Sequence, residues 1–216
     1  MQTTTIIAYI LAAVAAYLLG SISFSIIITK QFAGTDVRRH GSGNAGATNV
    51  LRTAGKLPAV LTFACDFLKV VAAMIIAIAI SSVMNLNGEL RECLKYTTGI
   101  FCMIGHIFPL YFGFKGGKGV TAAAAVMLLL DWRCFLIAIT VFVILVAVTR
   151  YVSLGSVCAA ASLPFITIAL QLAGHQKYAV VNTLLVTCIT AIIIAKHYRN
   201  IKRLLNGTEP KLHSKS

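Results

Sequence analysis

The chain has 216 residues, 58% of them hydrophobic and 12% charged, and 19 lysines and arginines against 6 acidic residues give a formal net charge of +13. Long apolar runs at this composition exclude a soluble protein and predict an all-α integral membrane protein: one membrane-embedded domain over residues 1–216, without room for a separate soluble one. The cations sit mainly in loops between the apolar runs, which a positive-inside bias explains more simply than nucleic-acid binding does.

The first apolar run, Ile6 to Thr29, has no basic stretch before it and is too long for a cleaved signal, so it reads as a retained helix. Its second half, Gly-Ser-Ile-Ser-Phe-Ser from Gly20, has small polar residues suited to close helix packing. After Lys30 comes a polar loop with Asp36, Arg38 and Arg39, and then Gly-Ser-Gly-Asn-Ala-Gly-Ala-Thr-Asn-Val-Leu-Arg from Gly41 to Arg52. Gly41, Gly43 and Gly46 let backbone N–H groups turn and approach a ligand closely. Ser42, Asn44, Thr48 and Asn49 add neutral donors, and Arg52 adds a planar cationic fork. Converging N–H groups of this kind bind phosphate, and the stretch reads as an anion cradle rather than a plain linker.

The second span is expected from Pro58 to Ser82, with Asp66 and Lys69 one turn apart as a structural ion pair. A mixed loop, Asn85 to Lys95, leads to a third span from Tyr96 to Phe108. Pro109 breaks the pattern within a second special stretch, which offers His106, Lys115 and Lys118 with Gly116, Gly117 and Gly119. Lys-Gly-Gly-Lys-Gly resembles a nucleotide P-loop at first sight. A Walker motif needs Ser or Thr directly after Gly-Lys, however, and here Gly119 follows. The fourth span, Val120 to Leu130, is short, with a re-entrant segment as the rival reading, and Asp131-Trp132-Arg133 marks an interface. The fifth runs from Phe135 to Thr149. The sixth runs from Tyr151 to Leu172 with a bend expected at Pro164, and the seventh from Tyr178 to Lys196. Ser153 and Ser156 share a face at the start of the sixth, and His197 and Asn200 share one where the seventh leaves the membrane.

Seven spans put the termini on opposite sides. Lys30, Arg38, Arg39, Arg52, Lys56, Lys115, Lys118, Arg150 and the basic tail fall on one side; Arg91, Lys95, Arg133 and Lys177 fall on the other. The N-terminus is therefore expected outside and the C-terminus in the cytoplasm. Every polar Gly-rich stretch then opens on the cytoplasmic face.

The six cysteines are scattered, without metal-ligand spacing, and no metal or cofactor is expected. Only Asp36 and Glu209 are carboxylates on the cytoplasmic side, which disfavours paired-carboxylate and two-metal chemistry. A His-x4-Asp acyltransferase pair is excluded, because Tyr111 and Lys202 stand five residues after His106 and His197. A basic, phosphate-binding pocket beside lipid remains. A transporter for a phosphorylated or anionic solute is the alternative, weakened by the lack of an inverted repeat and by polar stretches collected on one side.

Four stretches resemble the bacterial acyl-phosphate:glycerol-3-phosphate acyltransferase family (PlsY type): Gly41 to Arg52, Gly105 to Pro109, Phe114 to Val120, and Asn200 to Glu209. The resemblance covers nearly the whole chain. It implies a seven-helix bacterial inner-membrane enzyme that transfers an acyl chain from acyl phosphate to the 1-hydroxyl of glycerol 3-phosphate, giving lysophosphatidate. The family's ligand-contacting positions match Ser42, Thr48, Asn49, Arg52, the Lys115–Lys118 segment, Ser153 to Ser156, His197 and Asn200. Either lysine and either serine could make the contact. His197, Arg52 and Ser42 are the expected catalytic set; Gly41, Gly43, Asn44, Thr48, Asn49, His106, Lys115, Lys118, Ser153, Ser156 and Asn200 join them in binding substrate. Where family members read His-Arg-Glu-Asn, this chain has His197-Tyr198-Arg199-Asn200. The expected partners are the two substrates and membrane lipid, without nucleic acid, and the chain is expected to be a monomer.

Overall fold

A computed structural model describes residues 2–212. Among them are ten α-helices and no strand: α1 (Gln2–Gly20), α2 (Phe24–Ala33), α3 (Ala47–Ala54), α4 (Lys56–Val83), α5 (Gly88–Ile107), α6 (Val120–Leu130), α7 (Trp132–Thr149), α8 (Val152–Ala173), α9 (Ala179–Lys196) and α10 (Tyr198–Leu205). Among the described residues five segments are long and apolar enough to cross a membrane: Gln2–Ala33, Lys56–Val83, Trp132–Thr149, Val152–Ala173 and Ala179–Lys196. The protein is thus an all-helical, multi-span chain. Helix α5 starts well before Tyr96, because its first turns absorb the charged stretch Glu89 to Lys95; α6 matches the short fourth span.

The chain forms two compact units, divided after Val126 within α6. In the first, α1 packs on α5 through a stripe of small residues. Ala8, Ala12, Ala16 and Gly20 recur every fourth residue and are buried. A Cβ on Gly105 of α5 would strike the Tyr17 carbonyl, and one on Gly20 would strike the Cys102 carbonyl, so backbone lies against backbone here. In lipid, where apolar side chains gain little by leaving a neighbour equally apolar, such close approach is a main source of helix adhesion.

The first apolar run is not one helix. α1 ends at Gly20 and α2 starts at Phe24, with Ser21 to Ser23 between them. The break leaves the Ile22 carbonyl without a helical partner, and Lys69 Nζ on α4 donates to it at 2.9 Å. At membrane depth a freed carbonyl needs such a donor.

The second unit solves the same problem at Pro164. Proline has no N–H for the carbonyl four residues back, that of Ala160. Helix α8 nevertheless continues through it, and Thr190 Oγ1 of α9 donates to the Ala160 oxygen at 3.0 Å. Farther along the same pair of helices, Asn182 Nδ2 donates to Gln171 Oε1 at 3.2 Å.

Candidate functional site

In the first unit the stretch from Gly41 to Arg52 is half loop, half helix: Gly46 caps α3, which begins at Ala47. Gly41 and Gly43 adopt φ of 56° and 70°, the left-handed region that glycine enters without strain. The loop is tied by Asn49. Its buried amide donates to the carbonyls of Val37 and His40, both at 2.9 Å, and its Oδ1 accepts from the Ser42 N–H at 2.9 Å. Both amide protons of Asn49 thus go to the loop itself. Ser42 stands exposed at the rim, Asn44 and Thr48 are half-buried, and Arg52 lies half-buried in the last turn of α3. A helix start leaves its first N–H groups without intrahelical acceptors, and at α3 these belong to Ala47 and Thr48. They carry the positive end of the helix dipole and suit an anion.

Arg38, in the 3-10 turn Val37–Arg39, joins the cradle to the second loop. Its Nε and Nη2 grip Asp36 at 3.1 and 2.7 Å, and its Nη1 donates to the Phe112 and Lys115 carbonyls at 2.7 and 3.2 Å. The hydrogen bond from Arg38 holds the Asp36 carboxyl below its ordinary value, with its charge helping. The second loop then folds back on the end of α5. Gly116 N–H donates to the Ile107 carbonyl and Gly117 N–H to the His106 carbonyl, both at 3.1 Å, which satisfies the helix's last acceptors. Lys115 is exposed and Lys118 half-buried, while the His106 ring lies buried beneath the loop.

In the second unit, His197 ends α9 and is buried; its Nδ1 donates to the Ile193 carbonyl at 2.8 Å. A carbonyl only accepts, so Nδ1 carries a proton. Asn200, on α10, donates from Nδ2 to Glu209 Oε1 at 2.7 Å, and Arg203 Nε donates to Oε2 at 2.7 Å. Glu209 returns to α10 through a turn at Gly207, where φ is 67°. Burial would raise its carboxyl, but the hydrogen bonds from Arg203 and Asn200, with Ser153 nearby, outweigh that and hold it below its ordinary value. Ser153 Oγ is buried and faces Glu209 without a well-formed hydrogen bond of its own. Ser156 Oγ donates to the Val152 carbonyl at 2.8 Å.

Arg38 and Glu209 are two organising residues to which the sequence reading assigns no site role. The Asp-x-Arg spacing at 36–38 is a visible signal for the first. For the second, only the Gly-Thr-Glu ending hints at a turn.

The chain matches the family described as "Glycerol-3-phosphate acyltransferase" over residues 10–207. A glycerol-3-phosphate acyltransferase of Clostridioides difficile is 42% identical to it over 97% of this chain and 98% of that protein. Another, from Syntrophotalea carbinolica, is 42% identical over 90% of this chain and 93% of that one. Among solved structures, the glycerol 3-phosphate form of PlsY, an integral membrane glycerol 3-phosphate acyltransferase, aligns with a TM-score of 0.79 at 36% identity, covering 94% of each chain. Its lysophosphatidic acid form aligns at 0.76 and 34%, again over 94% of each. With the family matched across nearly its whole length, the chain belongs to the glycerol-3-phosphate acyltransferases, membrane enzymes of phospholipid biosynthesis.

Proposed function

We propose that this enzyme takes its acyl chain from acyl phosphate and passes it to the 1-hydroxyl of glycerol 3-phosphate, releasing lysophosphatidate and phosphate. The observation that supports this reading is the cradle, whose glycine turns and α3 start suit an anion, in a family whose solved member has been crystallised with glycerol 3-phosphate. Both substrates then carry a phosphate, which accounts for two phosphate-suited elements, the cradle and the Lys115–Lys118 loop.

An acyl phosphate is a mixed anhydride and already activated. The hydroxyl oxygen attacks the carbonyl carbon, the bond from that carbon to the phosphate oxygen breaks, and the proton leaves on phosphate. The enzyme chiefly aligns the two groups and neutralises charge. In the first unit Arg52 and a lysine of the Lys115–Lys118 segment bind glycerol 3-phosphate, and in the second unit His197 and Asn200 serve as substrate-binding residues. Gly41, Ser42, Gly43, Asn44 and Thr48, on the frame built by Asn49, hold the donor's phosphate. Ser153 and Ser156 contribute from α8, and His106 acts from beneath the second loop. A substrate phosphate accepts the hydroxyl proton, since both substrates bring a phosphate to the reacting groups and no protein base is then required.

The donor is tested with purified protein. Acyl phosphate should support turnover and acyl-CoA should be a poor substitute. Efficient acyl-CoA use, in a preparation free of acyl-phosphate-forming enzyme, contradicts the proposal.

Residues 1–216 act as a single acyltransferase domain in the bacterial inner membrane, with seven spans, the N-terminus outside and the active site facing the cytoplasm. The charge asymmetry supports this orientation. In a cysteine-free background, single cysteines at positions 49 and 118 should label only from the cytoplasm, and those at 89 and 177 only from outside. Outside labelling at 49 or 118 ends the scheme.

A further inference from the structure

We infer that Asp66, Lys69 and His106 form a buried post that fixes the His106 proton on Nε2 and so sets the phosphate-binding position of the Gly116–Lys118 loop. The inference rests on the reading of that loop as a phosphate site. His106 is then a positioning residue, acting on substrate through the loop.

Helices α4 and α5 bring the three side chains together, each almost fully buried. Lys69 Nζ lies 2.7 Å from Asp66 Oδ1, 2.9 Å from the Ile22 carbonyl and 3.1 Å from His106 Nδ1. An ammonium has three donors and no acceptor. Ion-paired with Asp66, the Lys69 ammonium can meet Nδ1 only by donating to its lone pair. A proton on Nδ1 would set two N–H groups against each other. Asp66 Oδ1 is 3.5 Å from Nδ1, too far to draw the proton back by a good hydrogen bond. With Nδ1 accepting from Lys69, the ring carries its hydrogen on Nε2.

That edge of the ring faces a specific place. A Cβ added to Gly117 would run into His106 Nε2 and the Ala45 carbonyl, so the ring edge, the loop and the cradle backbone meet at Gly117. The His106 carbonyl also accepts the Gly117 N–H at 3.1 Å. One residue thus holds the loop by its backbone and bounds it by its side chain, directly before Lys118. An ion pair that only satisfied two charges within α4 would need neither the histidine nor a glycine at position 117.

The test uses the full-length protein in detergent. Ring nitrogens are read by 15N NMR, with His106 assigned from the spectrum of His106→Asn. Wild type should show Nδ1 bare and Nε2 protonated. Lys69→Gln and Gly117→Ala should each raise the KM for a phosphate-bearing substrate by about 10- to 100-fold, with a smaller change in kcat, since displacing a binding group by about an ångström has effects of that order. A ring protonated on Nδ1 overturns the inference. So does an unchanged KM in Gly117→Ala, or in Lys69→Gln with only thermal stability lowered. If Lys69→Gln does not fold, the wild-type spectrum and Gly117→Ala still decide. A wild type that neither binds nor acylates glycerol 3-phosphate removes the phosphate-site reading beneath the inference; an active wild type with unaffected variants removes the post alone.

Discussion

Arg52→Ala should lower acyl transfer by at least ~10-fold, while Arg52→Lys should recover only part of the loss. A charge-assisted pair with a phosphate, in a partly dry pocket, is worth on the order of 2–5 kcal/mol when one partner is removed. Arg52 also sits in the last turn of α3, where a cation complements the helix dipole. That second effect is only about 0.3–1 kcal/mol, so it cannot account for a large loss, and Arg52→Lys would keep it. Lysine keeps the charge but not the planar fork, so the gap between the two variants measures geometry. The assay is steady-state turnover with each substrate varied in turn. Equal activity in all three proteins would remove Arg52 from the site.

His197 separates two routes for the proton. Its Nδ1 donates to the Ile193 carbonyl. If a substrate phosphate is the base, His197→Gln should retain substantial activity and His197→Ala less. The acidic limb of the pH–rate profile should then persist in the Gln variant, following the second phosphate ionisation near roughly pH 6. Activity is lost below that value because the monoanion accepts a proton poorly. If His197 is itself the base, both substitutions should be severe and the limb should vanish with the ring. A crippled His197→Gln enzyme without the limb would sink the substrate-assisted route.

Most of the helical plan is legible in the sequence, because spans announce themselves by length and apolarity. Val120–Leu130 agrees to the residue, and α4, α7, α8 and α9 start or stop within a few residues of the expected spans. The break after Gly20 is not legible. Ser21-Ile22-Ser23 is apolar enough to pass as helix, and what offsets the lost hydrogen bonding is Lys69, 47 residues away. Likewise the 66–69 spacing implies an ion pair, which the structure contains, but not its third member, since His106 joins only when α4 and α5 pack. The residues of the cradle stand out by composition. Their division of labour does not: nothing in Asn49 itself shows that its amide protons close the loop while the exposed Ser42 stays at the rim. Glu209 lies nine residues from Asn200, a distance that only the turn at Gly207 closes.

Whether this chain transfers an acyl group or moves a solute is decided by purified protein reconstituted in sealed vesicles, given labelled glycerol 3-phosphate and acyl phosphate, where both processes are measured at once. Acyl transfer should yield lysophosphatidate and inorganic phosphate in equal amounts, with no labelled glycerol 3-phosphate accumulating inside the vesicles. Accumulation of unmodified glycerol 3-phosphate without lysophosphatidate would contradict it.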